Sequence, residues 1–243
     1  MNIILTFLSK SLAMKVRVGC ILLLSVIVLS SCSPKVAAPS SSAKISEAIS
    51  SGILGNWEQL GIQKGQPVPD FTLHSEKGKT FNLKDELKKG KPVVLISGSY
   101  TCDVSRGNME AIKNFQKEYG KKASFFMIYT IDAHPYDSPS PYSAERKVWI
   151  AKNNTRDNVK AAQPKIYEQR VELARKWLKD NEIDFPVLID APDNFYWKKF
   201  GQAPNMVYII SPRQTVFFKQ AWFNKEKLAQ QFEDLQTEKL SAD

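Results

Sequence analysis

Histidine and cysteine are scarce in this chain of 243 residues, which holds two His and three Cys. With so few, no Cys/His zinc site is available, and Cys20, Cys32 and Cys102 lie in three different sequence environments that offer no disulfide framework. A block of charge of one sign is lacking too. The formal net charge is +9, from 34 Lys+Arg against 25 Asp+Glu. Residues 1–31 hold Lys10, Lys15 and Arg17 and no acid, and without them 31 basic residues face 25 acidic ones, a net +6. The remaining charges interleave rather than form the runs that track phosphates, so nucleic acid is not an expected partner. At 43% hydrophobic and 24% charged residues, the composition excludes wholesale disorder, collagen-like sequence and a polytopic membrane protein. One globular domain with extensions is expected.

The longest apolar run lies near the N-terminus. From Met14 the order is a short basic region with Lys15 and Arg17, an apolar core over 20–29, and the small residues Ser30 and Ser31 before Cys32. That is the layout of a secretory signal, too short for a comfortable membrane span. The thirteen residues before Met14 show no such pattern, and Met14 is a candidate true start. Leu29-Ser30-Ser31-Cys32 resembles the bacterial lipobox, which implies cleavage before Cys32 and acylation of that residue. Two or more acyl chains hold a protein stably on a membrane where one does not. Residues 33–43, rich in Ser, Ala and Pro, read as a low-complexity tether. The expected organisation is a signal peptide over 1–31, a lipidated Cys and flexible tether over 32–60 with a helix-like stretch from Ile45 to Leu60, a globular domain over 61–237, and a tail over 238–243. The expected location is the bacterial cell envelope, lipid-anchored, facing the periplasm or the exterior.

Within the globular part, 68–73 and 80–83 read as two short strands joined by a turn around Gly78. The run 91–97 is continuously apolar, as in central parallel strands. Met109, Ile112, Phe115 and Tyr119 recur at helical spacing, 123–131 returns to a buried strand, and Val171, Ala174, Trp177 and Leu178 mark another helix. Strands at 185–189, 206–210 and 215–219 follow, with a terminal helix from about Lys225. The order, βαβ first and a hairpin plus helix last, predicts an α/β thioredoxin-like fold with a central mixed sheet flanked by helices.

Cys102 stands just after the first central strand and just before a helix, where free backbone N–H groups and the helix dipole favour a thiolate. Its polar loop, Gly98-Ser99-Tyr100-Thr101-Cys102-Asp103, is a poor place for an inert core thiol. Arg106, one turn on, would favour the thiolate if it points inward, and Asp103 opposes it. The second cysteine of a dithiol oxidoreductase would fall at position 105, which is Ser105, so an oxidised Cys102 must be resolved by an external thiol. His74 lies in a hairpin without polar company and reads as structural or exposed.

These residues resemble the iodothyronine deiodinases, thioredoxin-fold selenoproteins. The family's Gly-Ser-Cys-Thr-Sec loop is matched by Gly98-Ser99-Tyr100-Thr101-Cys102, and its Glu-Ala-His by Asp132-Ala133-His134. Lys152-Asn153-Asn154, Arg170-Val171 with Ala174-Arg175, Pro186-Val187-Leu188-Ile189-Asp190 and Pro204-Asn205-Met206-Val207-Tyr208 match further motifs in order. The resemblance runs from about Gly61 to Lys227 and includes a deiodinase-type insertion. It implies a thiol-dependent oxidoreductase, with Cys102 as nucleophile and His134 as proton donor to the ring carbon. Asp132, placed on the same strand face as His134, would orient it or hold a phenol group, and Ser99 and Thr101 would donate to sulfur or substrate. Tyr100, Pro204 and Met206 would stand near the site, Pro204 as the cis-proline that thioredoxin folds set opposite the cysteine. Tyr136, Tyr142 and Trp149 of the insertion would either line an aromatic pocket or pack onto the core. No bound cofactor is expected beyond an external thiol or thioredoxin-like donor, and no metal. The substrate would be a small aromatic halide or a peroxide, and the resemblance also implies a homodimer.

Three departures from the family bear on activity. Cys replaces Sec, which predicts slow deiodination. Asp103-Val104 stand where the family has Pro-Pro. Met206 replaces an Arg suited to a hormone carboxylate. Two other readings remain at this point, a peroxiredoxin-like thiol peroxidase, with Ser99 in place of its usual Thr, and a non-catalytic envelope module.

Overall fold

The computed structural model describes residues 36–50, 52 and 55–240, with side chains to 235. The expected leader, Cys20 and the expected lipidation residue Cys32 lie outside the described residues. Among those described, no helix is long and apolar enough to cross a membrane.

Alternation of apolar residues and turns gives the expected order. Strands β1 (Thr72–Ser75) and β2 (Thr80–Asn82) form a hairpin, and helix α1 (Leu83–Leu87) follows, capped by Asn82, whose side chain accepts from the Asp85 N–H. Strand β3 (Val93–Gly98) leads through the short helix α2 (Asp103–Gly107) into α3 (Met109–Tyr119) and then strand β4 (Ser124–Tyr129). A long inserted segment carrying helix α4 (Lys152–Arg156) precedes α5 (Tyr167–Asp180), β5 (Val187–Ile189), α6 (Phe195–Phe200), β6 (Val207–Ile210), β7 (Val216–Gln220) and α7 (Lys225–Leu240). Helix α7 therefore continues into the expected tail.

All seven strands form one sheet in the order β2-β1-β5-β4-β3-β6-β7. β3, β4 and β5 are parallel, and β6, β7, β1 and β2 run antiparallel to their neighbours. The β3-α3-β4 unit beside the β6-β7-α7 unit is the thioredoxin-like core, and the sheet is mixed as its sequence predicts.

Strand period two divides the core between the two faces. Val94 and Ile96 join Phe115, Trp177 and Phe232 from α3, α5 and α7 on one face. Val93 and Leu95 join Phe71, Leu83 and Phe200 on the other. Burial on both faces explains why β3 reads as a continuous apolar run.

The expected flexible tether is a strap laid on the domain, at least from Val36. The Val36 carbonyl accepts from His74 Nε2 at 3.0 Å, which makes His74 a buried structural residue. Lys44 bridges to Ile166, the Tyr167 and Glu168 N–H groups donate to the Ala43 and Ser41 carbonyls, and Ser46 N donates to the Pro192 carbonyl. Sequence reading missed this because small polar residues advertise no burial, and the strap is held by its backbone. Among the described residues of the helix-like stretch expected over Ile45 to Leu60 there is no α-helix, and 3-10 structure stands at Gly52 and Trp57–Gln59.

Candidate active site

Parallel strands β3, β4 and β5 end together, at Gly98, Tyr129 and Ile189 in register, and the loops beyond build the site. The last residue of β3 is Gly98, where a Cβ would lie 2.6 Å from Trp177 Cη2. Cys102 is the N-cap of α2, with Ser105 N–H donating to Sγ at 3.3 Å. Ser105 Oγ donates back to the Cys102 and Ser99 carbonyls, so the position of a second thiol is filled by a residue that stiffens the loop.

The expectation of a stabilised thiolate is overturned. Cys102 is 1% exposed, and burial pushes its thiol up to about 11. The Ser105 N–H works against that rise, and the Asp103 charge adds to it. Desolvation of a charged sulfur outweighs what one short helix start returns. Arg106 does not offset it, because its guanidinium donates to the Tyr100 carbonyl and Asn154 Oδ1 and faces Asp157.

The other expected residues separate into two groups. His134 lines a cavity of about 610 Å3 together with Cys102, Asp103, Val104, Lys152 and Pro204. Its aromatic walls are Trp57, Tyr142, Trp149 and Trp222. Tyr142 and Trp149 thus line the pocket, whereas Tyr136 is 46% exposed elsewhere, under Lys160. Trp57 and Trp222 were not singled out by sequence. Each lies in a stretch without helical or strand periodicity, and only the fold sets their rings 5.9 Å apart.

Asp132 and Thr101 form a buried brace beneath this cavity instead of lining it. Strand β4 ends at Tyr129, so Asp132 and His134 lie in the following loop, not on one strand face. Asp132 Oδ1 accepts from Thr101 N and Oγ1, at 3.0 and 2.8 Å, and Oδ2 accepts from Tyr129 Oη at 2.7 Å. With both oxygens engaged by Thr101 and Tyr129, Asp132 orients the Cys102 loop, and His134 is not its partner. Burial raises its carboxyl above the usual range, against the lowering effect of these hydrogen bonds. Thr101 Oγ1 accepts from His134 N at 3.0 Å, so it ties the two loops together and does not donate to sulfur. Ser99 Oγ is buried without a hydrogen-bond partner, off the cavity wall. Tyr100 is in the core, its N–H donating to Tyr129 Oη.

Met206 is also buried, packed beneath Gly201 rather than in the cavity. No peptide bond among the described residues is cis, so Pro204 lines the site from a trans bond. The neighbouring Asn205 fixes that loop by donating to the Ser97 carbonyl and accepting from Asn108.

His134 is hydrogen-bonded at one edge and faces an acid at the other. Its Nδ1 lies 3.0 Å from the Trp149 carbonyl, which makes it the protonated nitrogen, and Nε2 lies 3.6 Å from Asp103 Oδ1. Burial lowers its pKa, opposed by the Trp149 carbonyl and the Asp103 charge. The imidazole is therefore neutral at pH 7, with a lone pair on Nε2.

The sequence matches the iodothyronine deiodinase family over residues 2–226. The chain belongs to that family. The thioredoxin-like fold that the family resemblance implied is the fold described above. A curated relative, the thioredoxin-like protein YneN of Bacillus subtilis, is 40% identical over 71 residues, 29% of this chain and 41% of that protein. The chain thus spans about two fifths of that relative's length. Among solved structures, a thiol-disulfide oxidoreductase from Bacteroides fragilis is 14% identical with a TM-score of 0.48, covering 70% of this chain and 99% of the other. A yeast mitochondrial 1-Cys peroxiredoxin is 14% identical with a TM-score of 0.47, covering 72% and 77%.

Proposed function

We propose that this deiodinase-family protein is a membrane-anchored, single-cysteine enzyme that reductively dehalogenates small aromatic substrates at the expense of external thiol. The observation that carries the reading is the placement of Cys102 and a neutral His134 in one cavity walled by Trp57, Tyr142, Trp149 and Trp222. Flat apolar walls suit an aryl ring. A peroxide needs no such walls, and the guanidinium that would assist a peroxidase thiolate, that of Arg106, is spent on Tyr100, Asn154 and Asp157.

The thiol proton passes to His134 Nε2 as sulfur attacks the halogen. The carbon–halogen bond breaks, a sulfur–halogen bond forms, and the imidazolium gives the proton to the ring carbon. Carbon is reduced and sulfur is oxidised to a sulfenyl halide. One external thiol displaces halide to give a mixed disulfide, and a second releases Cys102 as thiol and leaves as disulfide. Starting from a buried neutral thiol, the reaction is slow.

Protein lacking the leader, given iodinated or brominated phenols and dithiothreitol, is expected to release halide, and Cys102→Ser to release none. Consumption of hydrogen peroxide without halide release would move the assignment to thiol peroxidase. Inactivity in both assays would reject catalysis of either kind.

A further inference from the structure

Asp103 is puzzling as a neighbour of the nucleophile. Its charge opposes the Cys102 thiolate, so its place at the first turn of α2 calls for another purpose. Its two oxygens are differently engaged. Oδ2 accepts from Asn153 Nδ2 at 3.0 Å, which anchors the carboxylate to α4 across the cavity and turns Oδ1 toward His134 Nε2, at 3.6 Å. The imidazole's other nitrogen is already tied to the Trp149 carbonyl, and its ring meets Trp149 edge-on with centroids 4.5 Å apart. The ring is thus fixed in plane and tautomer, with a carboxylate at its free edge. Asp132, the acid two residues before it, is committed to Thr101 and Tyr129.

We propose that Asp103 is the positioning residue of His134: it stands at the Nε2 edge, and it pairs with and stabilises the imidazolium that exists while the thiol proton is in transit. The inference rests on the dehalogenase reading above for its catalytic part only. The pairing itself is a property of the fold. The charged and titratable groups around His134 are Asp103 and Arg106 from α2, Cys102 at its cap, Lys152 from α4 and Tyr142 from the insertion. Arg106 opposes the imidazolium and Asp103 favours it, and Lys152 and Cys102 share its cavity. An imidazole buried in an apolar pocket holds a second proton poorly. A carboxylate that is 19% exposed in its side chain supplies the missing counter-charge without reaching the sulfur's own hydrogen bond from Ser105.

The test has two arms on the full chain in mild detergent with excess dithiothreitol. The first follows the imidazole signals by NMR with labelled histidine, which is tractable because the chain has only His74 and His134. Asp103→Asn is expected to lower the His134 pKa by about one unit, and Asp103→Glu to return most of that shift. An unchanged titration in Asp103→Asn would overturn the proposal. The second arm measures halide release against pH. Asp103→Asn is expected to reduce kcat about tenfold at pH 8, with KM within twofold and partial rescue by Asp103→Glu. A full kcat in an active Asp103→Asn enzyme would overturn it equally. If the wild-type chain releases no halide while the imidazole titration still moves, the dehalogenase reading fails and the Asp103–His134 pair stands.

Discussion

At the scale of single residues, the chemistry turns on how much solvent each group loses. Cys102 was legible in the sequence as the candidate nucleophile, from its strand-to-helix position and polar loop. Its protonation state was not, because desolvation depends on what the fold gathers round the sulfur, and Tyr142, Trp149 and Trp222, which line its cavity, come from distant segments. Removing residues before Val36 leaves Cys102 as the single thiol, so alkylation reports it alone. With a thiol at about 11, the rate with iodoacetamide rises about tenfold per pH unit between pH 7 and 10, since only thiolate reacts. A plateau near pH 8 or 9 would mean a solvated sulfur and would remove the need for a base. The acids show the same limit. Sequence spacing and the family pattern both favoured Asp132 as the partner of His134, yet the chain folds Asp132 under the loop and brings up Asp103, a residue that departs from the family.

At the scale of elements, regular segments with strong periodicity were readable: β3, α3, α5, β6 and the start of α7 fall where alternation and helical spacing put them. The strap at 36–50 was not, because its bonds are made by backbone groups of Ser41, Ala43, Ile45 and Ser46 to partners more than a hundred residues away. Truncation measures its worth. Backbone hydrogen bonds of about 1 kcal/mol each are partly offset by the entropy of ordering the chain. A chain beginning at Trp57 is therefore expected to lose about 2 kcal/mol, which lowers Tm by about 4–8 °C in a domain of this size. A Tm equal to that of the chain beginning at Val36 would return the segment to the role of a tether.

At the scale of the whole molecule, the proposed anchor assigns the domain to a membrane surface through Cys32. Acylation on thiol and amine would supply more than one chain, enough for stable attachment. In a bacterial host, the wild-type protein is expected to fractionate with membranes and Cys32→Ser with the soluble extract. Retention of Cys32→Ser in the membrane fraction would point to uncleaved leader or to another contact as the anchor.

The sequence by itself determined the order of elements, the mixed sheet, the single usable cysteine and the family, because these follow from local periodicity, residue counts and contiguous motifs. Only the tertiary structure decided the site. The cavity walls come from Trp57 after the strap, Tyr142 and Trp149 in the insertion and Trp222 after β7, three segments that meet where the parallel strands end. The raised thiol and the Asp103–His134 contact follow from that meeting, since desolvation and charge pairing are set by distance in space and leave no trace in spacing along the chain.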